Sequence, residues 1–468
     1  MRRRVDVLIV GAGPAGMSAA VVARRYGLDV LVVDEQPAPG GQIWRGVEAA
    51  AGTSRAAILG KSYEEGLATV SRFRASAAAY EPETQVWHLE PGPRAFMIRN
   101  GTTSSIDAGC LLLATGAQER PAPFPGWTLP GVMTVGAAQI VLKASGQIPA
   151  EPVWIAGNGP LSLLYATQLL QSGGRIAGFL STTLLSGGTA VTAPKLAAAA
   201  FSAPGDLLKG LGWIAALRRR IPYVRHVTGI EAIGGEALER LRYITADGKA
   251  TIVEARLLLV HEGVVPTIHP TLALGCQHRW NVDQDSFAPE LDIWGETSVA
   301  GVFVAGDGAG IGGATAACLR GEIAALRIAS RAGRLTNTET DTLAQPIRRA
   351  LKRALATRPF LDALYRPRPS VFVPADETIA CRCEEVSVAS IRGQVSAGRQ
   401  PGPNQVKACT RAGMGPCQGR QCNYTIAHVL AAAEGRRVPD VGLYRVRPPL
   451  KPITLCELAA LDIMDANS

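Results

Sequence analysis

The chain opens on a near-continuous apolar run, Val5-Asp6-Val7-Leu8-Ile9-Val10, and then changes to the helical pattern of "MSAAVVARRYG". An apolar run of this length predicts a buried parallel strand, and the change of period predicts strand, turn and helix. A second run, "LDVLVVDE", ends on the acids Asp34 and Glu35. The same order returns where "EPVWIAGNG" leads into "PLSLLYATQLLQ" and then "GRIAGFLST". Three more short runs, "CLLLATGA", "LLLVHEGVVPT" and "GVFVAGDGAG", break off at glycine. Strands alternating with helices place the body of the chain in the α/β class.

The pattern changes after residue 335. "TNTETDTLAQPIRRALKRALATRPFLDALYRPRPSVF" predicts a basic amphipathic helix followed by proline-rich turns, an ordered linker lying on the body. Beyond it, Val388, Ile391 and Val395 recur at helical spacing, with Ser387 available as a cap, and Cys422, Ile426 and Val429 share a second helical face. The ending "YRVRPPLKPITLCELAAL" is apolar and stiffened by proline, so it is predicted to fold back on the body or on a partner. The expected organisation is a discontinuous α/β domain, 1–125 and 268–335, around a second α/β domain, 126–267. A linker, 336–372, a small helical domain, 373–440, and a tail, 441–468, complete it.

Composition narrows the function classes. Of 468 residues, 47% are apolar and 19% charged, which excludes a disordered chain. The net charge of +9 comes from arginine spread along the whole sequence, without an aromatic-interleaved basic patch, so no nucleic-acid partner is expected. The leading "MRRR" precedes an apolar run that glycine and proline interrupt, unlike a signal peptide. No run reaches the roughly 18–20 apolar residues of a spanning helix. A cytoplasmic protein is expected, peripheral to the inner membrane only through a complex.

Gly11, Gly13 and Gly16 stand in G-x-G-x-x-G spacing within "GAGPAG", between strand and helix, with Pro14 and Ala15 inside the turn. The first glycine makes the turn, the second lets backbone N–H groups reach a pyrophosphate, and the third lets helix and strand pack closely; Asp34, with Glu35, then takes ribose hydroxyls. In the inserted repeat Ser162 replaces the third glycine, and the next strand ends "GFLST", without an acid or an arginine pair. That domain is expected to be present but degenerate. Cys110, Cys276 and Cys318 are solitary, so no redox pair of a disulfide reductase exists before residue 381; Cys110, Cys318 and Cys456 read as packing residues. His261, beside Glu262 at the end of a buried strand, reads as structural. No catalytic residue is assigned.

Cys381 and Cys383 form C-x-C, and Cys417 and Cys422 form C-x-x-x-x-C within "RAGMGPCQGRQC"; Cys409 is the spare. Thiols this concentrated read as a metal site. One-residue spacing is tight for two ligands on one zinc, whereas a [2Fe-2S] cluster accepts it; zinc is the lesser alternative. Arg382, Arg411 and Arg420 offer positive charge to an anionic cluster, and Gly413, Gly415 and Gly419 let backbone amides approach.

"GAGPAG", "ATGA" with Thr115 and Gly116, and "AGD" with Gly306 and Asp307 resemble the two-dinucleotide-domain flavoprotein fold of disulfide reductases. The resemblance implies FAD, or another adenine nucleotide, at the first motif, with "PGGQIWR" (Gly41, Gln42, Arg45) running beside the flavin. "CRCEEV" and "TRAGMGPCQGR" resemble the bacterioferritin-associated ferredoxin module. With "VDEQPAPGGQIWR", "RPAPFPGWTLPGV" and "RPPLKP", the whole chain resembles the large (alpha) subunit of heteromeric bacterial amine dehydrogenases of the opine oxidase, D-hydroxyproline dehydrogenase and hydrogen cyanide synthase type. That implies a partner FAD subunit of D-amino-acid-oxidase type, possible FMN between subunits, a small third subunit in some complexes, and a quinone or cytochrome acceptor. A self-contained NAD(P)H-dependent flavoprotein reductase is the enzyme alternative, and a scaffold with degenerate sites the non-enzymatic one.

Overall fold

The structure is a computed structural model and describes residues 3–183, 194–197, 199–200, 204–395 and 400–466. The chain divides into two units: 1–118, 265–355 and 446–468 form the first; 119–264 and 356–445 form the second.

The first unit is built on a seven-stranded sheet. β1 (Arg3–Val10) lies between β2 (Val30–Val33) and β6 (Thr102–Leu113), parallel to both. β3 (Ala79–Glu81) extends one edge, and the antiparallel β4 (Thr84–Glu90) and β5 (Arg94–Arg99) extend the other. The strand Val302–Val304 also pairs with β6. Val7, Leu8 and Ile9 are buried in series because both faces of β1 are covered. Each such side chain stabilises the fold by roughly 1.5–3 kcal/mol.

α1 (Pro14–Arg25) starts with proline in its first turn and ends on Arg24 and Arg25, which suits the polarity of a helix. It packs on the helix Ala314–Arg331 at Gly321, where a Cβ would overlap the Ala15 carbonyl oxygen. The predicted linker helix is present as Asn337–Ala354, with a Thr336–Glu339 capping box, and it belongs to this first unit with Ala344 fully buried. The tail folds back on the same unit. Val446 and Leu450 join its core, the Leu450 N–H donates to the Trp87 carbonyl at 2.6 Å, and Thr103 donates to the Glu457 carbonyl at 2.7 Å.

In the second unit a parallel sheet runs in the order β10 (Tyr223–Val224), β9 (Ile176–Ser181), β8 (Val153–Gly157), β11 (Leu258–His261), β7 (Val132–Thr134). α2 (Gly159–Gln171) follows β8, and α3 (Pro204–Arg220) precedes β10. A three-stranded antiparallel sheet, Val227–Ile233, Arg240–Thr245 and Ala250–Glu254, covers part of it. Residues 356–445 belong to this unit; the Trp127 indole N–H donates to the Ile379 carbonyl at 2.6 Å. The C-terminal helices α4 (Val388–Arg392), α5 (Pro403–Thr410) and α6 (Asn423–Glu434) close over their own apolar core of Val388, Ile391, Val406, Ile426 and Val429. Ser387 caps α4 by accepting the Ser390 N–H at 3.2 Å. Among the described residues no helix is long and apolar enough to cross a membrane.

Candidate functional site

The three glycine-terminated strands of the first unit converge. A Cβ on Gly11 would stand 2.5 Å from the Ala114 oxygen, and one on Gly16 would overlap the Gly11 oxygen. Gly306 approaches Ala15, and Gly308 approaches the Gly116 oxygen. Backbone sterics therefore admit only glycine at the crossing of motif and helix. Gly13 differs: its nearest neighbour would be the Gly41 Cα at 3.8 Å, so this face of the turn is open to a ligand. The Gly40 N–H donates to the Ala12 carbonyl at 2.9 Å, which brings Gly41 against Gly13. Thr115 donates to the Thr267 carbonyl at 3.4 Å.

Asp34 ends β2 with both oxygens engaged. Oδ2 accepts the Ala12 N–H at 2.6 Å and Oδ1 the Gln36 N–H at 2.8 Å. Burial nevertheless raises its pKa above the usual carboxylate value, against these two bonds and the nearby Arg45. Arg45 bonds Gln36 and Gln42 and, through its charge, supports Asp34. Glu35 points elsewhere, to an ion pair with Lys451 from the tail. Asp307 Oδ1 accepts the Gly312 and Gly313 N–H groups at 2.8 and 3.0 Å, and Arg320 donates to the Gly306 carbonyl at 3.0 Å. This aspartate thus shapes the glycine-rich entry to the helix Ala314–Arg331. An open glycine turn, a carboxylate at the next strand end and a second glycine loop form an adenine-dinucleotide cradle.

The inserted repeat closes differently. Ser162 occupies the third glycine position, fully buried, and its hydroxyl donates to the Gly159 and Asn158 carbonyls at 2.9 and 3.2 Å. Asn158 Nδ2 donates to Glu262 at 3.2 Å, and Arg368 Nε donates to the other Glu262 oxygen at 3.1 Å. Arg368 and Glu262 are 3% and 0% exposed, and burial raises the Glu262 carboxyl. His261 pairs with Glu119 at 2.7 Å. Arg218 and Arg225, which the sequence patterns do not single out, line a cavity beside Gly157 and Gly159. No local signal marks them, because they enter from α3 and from the turn after β10.

The four C-terminal cysteines come together in two cross-pairs. The Cys422 thiol donates to Cys381, and this bond lowers Cys381 to about 6 and raises Cys422; Cys383 lies against Cys417. Cys381 accepts the Gly413 N–H at 3.4 Å and further backbone N–H groups from Cys383 and Glu384. A Cβ on Gly415 would overlap Cys383, and Gly413 and Gly419 lie under the Tyr444 ring. Burial, then the neighbouring sulfurs, raises the Tyr444 hydroxyl, which donates to the Ala412 carbonyl at 2.9 Å. Glu385, Arg411 and Gln418 hold positive φ of 51°, 65° and 51°, a strained backbone around these sulfurs that the sequence did not announce.

Two of the three expected arginines are engaged elsewhere. Arg411 pairs with Glu384 at 2.9 Å, and Arg382 lies 5.9 Å from the Trp127 ring centre, so backbone amides face the sulfurs instead. Cys409 and Cys456 are exposed; Cys456 therefore does not pack as expected, whereas Cys110 is buried and raised to about 11 by that burial. Among the described residues no group of three or more His, Cys, Asp or Glu side chains is placed to hold a metal ion, so the expected cluster at the four cysteines finds no metal-site geometry here.

Residues 5–333 match the family model described as pyridine nucleotide-disulphide oxidoreductase, and residues 379–462 match the sarcosine oxidase A3 domain. The C-terminal part, expected to be ferredoxin-like, is thus matched under a different description. The opine oxidase A-subunit of Agrobacterium tumefaciens is 43% identical over 97% of this chain and 92% of its own length. Hydrogen cyanide synthase subunit HcnB of Pseudomonas protegens is 33% identical over 96% of both. The solved structure of L-proline dehydrogenase from P. horikoshii shares the fold, with a TM-score of 0.71, 21% identity, and coverage of 98% of this chain and 80% of that one. With its flavin/NAD(P)-binding fold, the chain belongs to the opine oxidase A-subunit family of oxidoreductases.

Proposed function

We propose that this chain is the electron-transfer and nucleotide-binding subunit of a heteromeric amino-acid dehydrogenase. In this reading a partner FAD subunit of D-amino-acid-oxidase type oxidises the CH–NH bond of an opine or proline derivative to an imine, and the electrons leave through this chain to a quinone or cytochrome. The observation that carries it is the convergence of Cys381, Cys383, Cys417 and Cys422 in two pairs, within a chain that also holds a dinucleotide cradle. A mononuclear ion needs three or four donors around one point, whereas a [2Fe-2S] cluster takes two thiolates on each iron. Paired sulfurs, amide donors and a glycine that alone clears Cys383 suit the second.

When bound, such a cluster supplies one-electron transfer beside the two-electron chemistry of a flavin. The residues of the chain do the rest. Gly413, Cys383 and Glu384 donate N–H groups that offset negative charge on the Cys381 sulfur, and Tyr444 covers the loop against water. At the N-terminal cradle Gly13 admits a pyrophosphate, Asp34 orients ribose hydroxyls, and the first turn of α1 supports the phosphates. FMN at the subunit interface belongs to the same reading, and no residue of this chain is assigned to it.

The test is co-expression with the partner subunit and a dye-linked assay over opines and proline derivatives. The complex is expected to oxidise an amine, and Cys417→Ser to abolish transfer to the dye while the partner's flavin is still reduced. Amine oxidation by this chain alone would end the divided-subunit reading. Rapid flavin bleaching by NADPH without a partner would favour the self-contained reductase.

A further inference from the structure

The cavity at the carboxyl end of the inserted sheet has no role in that reading. It measures about 190 Å³. Its floor is the turn Gly157–Asn158–Gly159, where β8 stops and α2 begins. The first N–H groups of a helix lack intrahelical acceptors and, with the aligned peptide dipoles, favour an anion. Arg218, at the end of α3, and Arg225, after β10, are both exposed and stand on the rim. The Arg218 guanidinium lies 5.3 Å from the Tyr223 ring centre, and Arg225 has no side-chain partner among the described residues. Asn158 is only 2% exposed, lines the cavity, and leaves its Oδ1 without a hydrogen-bond partner. A buried amide oxygen in this state can take a donor from a water or from a ligand hydroxyl.

In an open α/β sheet a dinucleotide lies across the strand ends, one nucleotide to each side of the glycine turn. Here the two sides differ. On the β9 and β10 side, Ser181, Tyr223 and Arg225 wall an accessible space. On the β11 side, Glu262 is sealed by Asn158 Nδ2 and by Arg368, and Asn158 also reaches the Arg366 carbonyl at 3.5 Å. Leu364 and Tyr365, just before that arginine, form the adjoining wall.

We propose that the inserted domain is a half-crevice that binds one phosphorylated adenosine, of the ADP or adenosine 2′,5′-bisphosphate class, as a non-redox ligand. Residues 364–368 fill the half that a nicotinamide nucleotide would need. The phosphates sit between the start of α2 and the two arginines, and Asn158 Oδ1 accepts a ribose hydroxyl. The site is separate from the N-terminal cradle and stands whether or not the cysteines hold a cluster.

The test is calorimetric titration of the full chain, its own cofactors retained, with ADP, adenosine 2′,5′-bisphosphate and NADPH. Arg218→Glu/Arg225→Glu is expected to weaken the two adenosine phosphates by at least about tenfold, as loss of charge-assisted hydrogen bonds implies, with an unchanged circular dichroism spectrum. Asp34→Ala, in the other cradle, should leave them within about twofold, and NADPH should bind no tighter than the bisphosphate. The absence of saturable binding would overturn the proposal. Loss of binding in Asp34→Ala and not in the arginine variant would do the same, as would NADPH binding about tenfold more tightly than the bisphosphate.

Discussion

The N-terminal cradle and the inserted crevice begin from the same local pattern, a buried strand, a glycine turn and a helix, yet they finish as different sites. In the first, glycine fills all three positions, and a carboxylate at the next strand end answers the turn through the Ala12 N–H. In the second, Ser162 satisfies its hydroxyl on its own helix, no acid follows, and a buried ion pair from distant sequence closes one side. The motif fixes where a nucleotide can lie; what the neighbouring strands and segments contribute decides how much of one is admitted.

Sterics separate the two glycine turns most strongly. Gly16→Val drives a side chain into the Gly11 carbonyl and should cost about 3 kcal/mol or more, with loss of the bound nucleotide, whereas Ser162→Ala in the corresponding place should cost about 1 kcal/mol. Urea denaturation measures both, and equal losses would refute the distinction. Next comes the sealed ion pair. Arg368→Met leaves Glu262 buried without its charge partner and should destabilise by about 3–5 kcal/mol, while Arg368→Met/Glu262→Leu should return to within about 1 kcal/mol of the parent. An additive double variant would show that the pair does not close the crevice.

The smallest effect is in pH. Asp34 has a raised pKa in the folded chain, so its ionised form is disfavoured relative to the unfolded state; its contribution to stability is full below pH 3.8 and lost as pH rises through the folded value. Ribose recognition has the opposite sign, because it needs the carboxylate. Nucleotide affinity at the N-terminal cradle should therefore fall on acidification at a higher pH than an ordinary aspartate allows. Asp34→Asn should flatten that profile in a titration monitored by flavin fluorescence.

The sequence made the local parts legible. Gly11 to Gly16 with Asp34, the strand ends at Gly116 and Gly306, and the Ser387 cap are all set by residues close in the chain, so period and turn chemistry suffice to place them. Long-range pairing is another matter. Arg368 lies in a stretch that reads as a linker, yet it is buried against Glu262, because a proline-rich segment can carry one charged side chain into a unit whose charge it offsets. Arg218 and Arg225 were invisible for the same reason. The C-x-C and C-x-x-x-x-C spacings pointed to one cluster, but the partnering of Cys381 with Cys422 and Cys383 with Cys417 follows from how α4 and α6 pack on a shared core. Two of the arginines expected beside the sulfurs, Arg411 and Arg382, found an acid and an indole instead.

Iron and acid-labile sulfide measured in anaerobically purified protein decide whether the four paired thiolates hold a one-electron centre. About two of each per chain are expected, with a reduced-state electron paramagnetic resonance signal that Cys417→Ser removes. One zinc per chain, or neither iron nor sulfide, would contradict it.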